Sequence, residues 1–106
     1  MADWEIVLYR PSRPEGFPLG PEELAAAAGV HPTLVCRLAE LGLLEYRGSP
    51  EEPLFALVSI PQLRRMLRLR RDLGINWVGI GLVMDLLDEI GALRREIARL
   101  RDGLKS

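Results

Sequence analysis

The chain has 106 residues, 48% of them apolar, and its 14 basic side chains are nearly balanced by 15 acidic ones. A net charge of -1 sets up no global field toward nucleic acid or an anionic membrane. No apolar run approaches the roughly 20 residues of a bilayer span, and Met1-Ala2-Asp3-Trp4-Glu5 opens no secretory signal. One cysteine, Cys36, allows no internal disulfide and fits a reducing cytoplasm.

In chain order, residues 4–9 alternate and are rich in β-formers, which predicts a short N-terminal strand. Residues 11–18 hold three prolines and a glycine and read as a loop. Pro21, then Glu22 and Glu23, then Leu24 and four alanines before Gly29 give a short helix with its start and stop signals in place. A second helix begins at His31-Pro32, with His31 a weak N-cap, carries Leu34, Val35, Leu38 and Leu41, and stops at Gly42. Cys36 on this helix reads as a small core residue. Two short helices about a tight turn form a helix-turn-helix pair. Residues 43–46 and 54–58 predict a β-hairpin, or wing, and a third helix runs from about Ile60 to Leu73 before Gly74. Asn76 is a good N-cap for a fourth helix reaching Leu104.

That fourth helix carries Val83, Leu86, Ile90, Leu93, Ile97, Leu100 and Leu104 in alternating steps of three and four. This is the a/d seam of a coiled coil, and these seven residues are the expected dimer interface. β-Branched residues prevail at a and leucine at d, a pattern of two-stranded coils when the strands are parallel. Glu89 and Glu96 at g would face Arg94 and Arg101 at e in a parallel pair. An antiparallel pair would oppose like charges. Each exposed pair contributes at most about 1 kcal/mol, so orientation stays open. Residues 1–75 are expected to form the winged helix-turn-helix domain with its bridging helix, and 76–106 the dimerisation helix.

Two stretches, LAAAAGVHPTLVCRLAELGLL (24–44) and LRRMLRLRRDLGINWVGIGLVMDLL (63–87), follow the layout of the MerR-type winged helix-turn-helix superfamily. Within it, RLRRDLGINWVGIGLVMDLLDEIGALRREIARLRDGL (68–104) resembles the CbpM family of chaperone modulators. The resemblance implies a mainly α fold with a short N-terminal strand, a small hairpin wing and a long coiled-coil helix. It also implies a cytosolic homodimer that binds the J-domain of a DnaJ/CbpA-type co-chaperone. Such a protein would suppress co-chaperone activity by occupying the surface used by the DnaK-type chaperone, and would weaken the co-chaperone's own DNA binding.

J-domains present a basic helix to that chaperone, so acidic residues outside the seam become the partner-contact candidates: Asp85, Asp88 and Glu89. The plainer alternative is that these acids only keep a long helix soluble. Trp77, flanked by Gly74 and Gly79, suits a helix junction and is also counted among the contact candidates. On the third helix Arg64, Arg68 and Arg71 share a face with Arg65 beside it, which reads as a solvated stripe. Arg70 falls among apolar neighbours and is expected to hold a carboxylate or helix-end carbonyls.

The rival reading is a MerR-type DNA-binding transcriptional regulator. Against it, the second helix offers only Thr33 and Arg37 to a groove, and the wing sets Arg47 among Glu45, Glu51 and Glu52. A third possibility, a small-molecule sensor, has no polar constellation behind it. Catalysis has no positive signal. No Ser-His-Asp set or phosphate loop occurs, and one histidine with one cysteine builds no four-ligand zinc site, so no cofactor or metal is expected.

Overall fold

The computed structural model describes residues 13–105. In order it contains α1 (Pro21–Ala28), α2 (Pro32–Glu40), β1 (Arg47–Gly48), β2 (Pro53–Leu54), α3 (Ser59–Leu73) and α4 (Trp77–Lys105). This is the mainly helical, winged helix-turn-helix order that the sequence predicts. The strand expected at 4–9 lies outside the described residues. The chain divides into two compact units, Met1–Leu63 and Arg64–Ser106. The division falls inside α3.

In the first unit the helix ends are set by local chemistry. The Gly20 N–H donates to the Glu23 carboxylate at 3.1 Å, and Arg13 donates to the same carboxylate at 2.8 Å. Arg13 also donates to the Pro18 carbonyl. α1 ends at Gly29, whose φ of 74° lets Gly29 and Val30 N–H groups return to the carbonyls of Ala26 and Ala25. That is a Schellman stop, and glycine adopts its left-handed backbone without the Cβ penalty. α2 begins where His31 Nδ1 accepts from the Thr33 N–H at 3.1 Å, so the imidazole is the N-cap. Leu24, Val35, Leu38, Phe55 and Leu63 are fully buried in this unit, with Ala25, Ala39 and Leu44 nearly so. Cys36 is half-buried rather than a core residue.

The wing is shorter than the sequence predicts, and its first strand follows residues 43–46 instead of lying on them. Arg47 pairs with Leu54 and Gly48 with Pro53, antiparallel, and nothing more extends the ladder. Leu43 is drawn away from it because its N–H bonds to Leu38 O at 2.9 Å to finish α2. Pro53 has no N–H to give a ladder. At the other end the chain already turns into α3, with Ser59 and Ile60 N–H bonded to Ala56 and Leu57 carbonyls. Phe55 instead exchanges both backbone hydrogen bonds with Leu19, at 3.1 and 2.7 Å, tying the segment before α1 to the wing.

In the second unit the last ten residues of α3 lead through Gly74 to α4. Asn76 Oδ1 accepts from the Gly79 N–H at 2.8 Å, so Asn76 is the N-cap the sequence predicts. A Cβ at Gly79 would stand 3.3 Å from that same oxygen, which keeps the position small. Met66, Ile80 and Gly81 are buried here. The 29 residues of α4 extend for about 43 Å at 1.5 Å per residue. Among the described residues no helix is long and apolar enough to cross a membrane.

Candidate functional site

Two surfaces are open to a partner: the helix-turn-helix face of the first unit and the long helix of the second. On the first, α1, α2 and the wing border a groove of 630 Å³. Its walls include Pro21, Pro32, Pro53 and Leu54, with Thr33 and Cys36 from α2. Its charged lining is one arginine, Arg13, against four glutamates, Glu22, Glu23, Glu51 and Glu52. Arg13 is already spent on Glu23. Arg47 of the wing is held by Glu45 at 2.9 Å and lies over the Phe17 ring at 4.7 Å. A surface of this sign repels phosphate, and the counterion release that drives DNA affinity has few cations to work with.

The second unit sorts the charged residues singled out in the sequence. Asp85, Asp88 and Glu89 are all exposed on α4. Asp88 faces Arg65 of α3 at 3.9 Å. Asp85 and Glu89 have no ion pair among the described residues. At about 100° per residue they lie within about 40° of each other, while Asp88 is some 60° or more round the helix. The structure therefore brings Asp85 and Glu89 together and sets Asp88 apart. Trp77 is half-buried, with the Arg70 guanidinium 4.5 Å above its ring. Arg70 itself is exposed, so its expected carboxylate or carbonyl partner is replaced by a cation–π contact, worth about 0.5–1 kcal/mol at such a site. Arg64, Arg68 and Arg71 are exposed as the stripe reading expects, and Arg71 meets Asp72 at 3.5 Å.

The seam of α4 is open over most of its length. Leu86, Ile90, Leu93, Ile97 and Leu100 each keep about half of their surface exposed, and Leu104 keeps 85%. Val83, the first seam residue, is half-buried within the chain. Farther along, Glu96 accepts two hydrogen bonds from Arg99, one of them from Nε at 3.1 Å. This bond raises the Arg99 guanidinium above its ordinary pKa.

Apart from Leu87 at 36%, two further apolar residues of α4 are exposed outside the seam, Val78 at 68% and Leu82 at 62%. A pattern of apolar spacing absorbs them into the buried side of an amphipathic helix. Only the observed burial of Ile80, about 160° from each, shows that they face the other way. The acidic lining of the groove was likewise hidden, because Glu22 and Glu51 are remote in sequence.

The family model of MerR HTH family regulatory proteins matches residues 19–102, from the segment before α1 to near the end of α4. The chaperone modulatory protein CbpM of Pseudomonas entomophila (strain L48) is 33% identical over 82 residues, covering 76% of this chain and 81% of that protein. The proteins of the same name from Pseudomonas putida strains GB-1 and W619 are 34% and 33% identical over the same shares.

Proposed function

Because the chain belongs to the MerR helix-turn-helix family, as a relative of the CbpM proteins, we propose that it is a chaperone modulator without catalytic activity of its own. It binds the J-domain of a DnaJ/CbpA-type co-chaperone in the cytoplasm and inhibits it by covering the surface that the DnaK-type chaperone uses. The observation that carries this reading is the family match itself, which runs through the long helix and its unpaired carboxylates at Asp85 and Glu89. A basic partner helix finds complementary charge there, and such charge steers encounter as well as fixing orientation. Asp88 and Trp77 flank that face and complete the contact set.

A second copy of the chain covers the seam from Val83 to Leu104. Seven apolar positions in heptad spacing are the pattern that two strands bury between them. The reading of the family as DNA-binding regulators keeps one observation in its favour, the helix-turn-helix pair of α1 and α2. The acid-lined groove weighs against it.

The test is calorimetric titration of the protein with the J-domain of its host's co-chaperone, repeated with Asp85→Lys and Asp88→Lys. Micromolar or tighter binding that the lysines abolish supports the reading and the face. Binding that survives them keeps the function and moves the site. No binding, together with salt-sensitive affinity for a DNA element, replaces the modulator by the transcriptional regulator.

A further inference from the structure

We infer that Val78, Leu82, Asp85 and Glu89 form one docking strip for a cationic amphipathic helix of the co-chaperone, with the two apolar side chains as its anchors. The inference rests on the modulator reading and adds to it the residues that supply the apolar part of the contact.

The strip follows from spacing and exposure. Positions 78, 82, 85 and 89 stand at i, i+4, i+7 and i+11, within an arc of about 60° and a length of about 16 Å. That spacing is how one helix lays a face on another. Val78 and Leu82 are 68% and 62% exposed, more than any seam residue from Leu86 to Leu100. One exposed aliphatic residue calls for no explanation. Two on successive turns, in line with two unpaired carboxylates, make a continuous amphipathic surface. The buried Ile80 lies on the far side of the helix, so the strip does not face the chain's own core. The seam runs about 90° away, so one helix can serve a second copy and a different partner on separate faces.

Charge identifies the occupant. Asp85, Asp88 and Glu89 stand within five residues of one another with no basic side chain among them, although the tail of the same helix has Arg94, Arg95, Arg99 and Arg101. Acids at i, i+3 and i, i+4 repel, and here only Asp88 has an arginine near it. A partner presenting lysine or arginine one turn apart relieves that repulsion at Asp85 and Glu89. Short aliphatic side chains beside those cations then meet Val78 and Leu82. A second copy of this strip would bring carboxylate against carboxylate when placed in register, which disfavours self-association through it.

The experiment titrates the full-length protein with the full-length co-chaperone of the same host, alongside V78S/L82S and E89K, with sedimentation and circular dichroism of each variant. The expected result is that V78S/L82S weakens binding about tenfold or more at any salt concentration, as loss of apolar anchors does. E89K should lose affinity and flatten its salt dependence. Sedimentation and helix content should match the parent for both. Unchanged affinity of V78S/L82S, with the parent still binding, overturns the strip and leaves the modulator reading standing. A parent that does not bind overturns the modulator reading and the strip with it. A V78S/L82S variant that loses its dimer overturns the strip by assigning these residues to a second copy.

Discussion

Replacing Ile97 by lysine tests whether a second chain covers the seam. Ile97 is 48% exposed in the isolated chain, and its seam neighbours Leu93 and Leu100 are 56% and 55% exposed. About half of the isoleucine side chain therefore remains for a partner to cover. Burying a whole such side chain contributes about 1.5–3 kcal/mol, so the uncovered half accounts for about 0.8–1.5 kcal/mol per strand. A dimer loses that twice, about 1.5–3 kcal/mol, before any cost of placing two ammonium groups beside the seam. At 1.4 kcal/mol per factor of ten, the dimer dissociation constant should rise about 10- to 100-fold. The isolated chain should scarcely notice, since the site is open and lysine is a good helix former. Sedimentation equilibrium across a micromolar range reads the association, and circular dichroism reads the fold. A variant that dimerises as tightly as the parent would refute the seam, as would a parent that stays monomeric at high micromolar concentration.

Asn76→Ala removes the side-chain acceptor of the Gly79 N–H and should cost about 1 kcal/mol, read as a Tm lower by several degrees, while Asn76→Asp restores it. Gly29→Ala forces a Cβ into a backbone of φ 74° and should cost about 1–2 kcal/mol in denaturant unfolding. Gly103→Ala, in open space on α4, should instead gain about 0.5–1 kcal/mol in the same assay. Glu51→Lys with Glu52→Lys reverses two of the four acids lining the groove and should raise affinity for duplex DNA. The salt slope, measured by fluorescence anisotropy, should steepen by about one for each phosphate newly contacted. An unchanged slope would show that the groove never approaches DNA.

The parts of the fold that were legible in the sequence are those governed by one or two residues acting locally. Gly29 and Gly42 stop their helices through positive φ, while His31 and Asn76 start theirs through side-chain acceptors, and each signal needs no tertiary information. The wing was less legible because competing local demands cut it short. Leu43 completes the end of α2, Pro53 brings no donor, and Phe55 pairs with Leu19 from more than thirty residues earlier. Arg70 eluded the pattern for another reason: its partner, the Trp77 ring, is reached only after the chain turns at Gly74. For the candidate site the helical spacing already puts Asp85 and Glu89 in one line, but it does not show that Asp88 has Arg65 beside it. The same limit hid Val78 and Leu82, since apolar residues at helical spacing look alike until one face is seen to be buried.

Whether the chain restrains a J-domain co-chaperone, as proposed above, is read from the ATPase rate of the DnaK-type chaperone stimulated by that co-chaperone as this protein is added. The rate should fall saturably toward the unstimulated value, with a midpoint that follows the binding constant and moves up with Asp85→Lys. A stimulated rate that stays constant at concentrations where the two proteins are bound would contradict the proposed restraint.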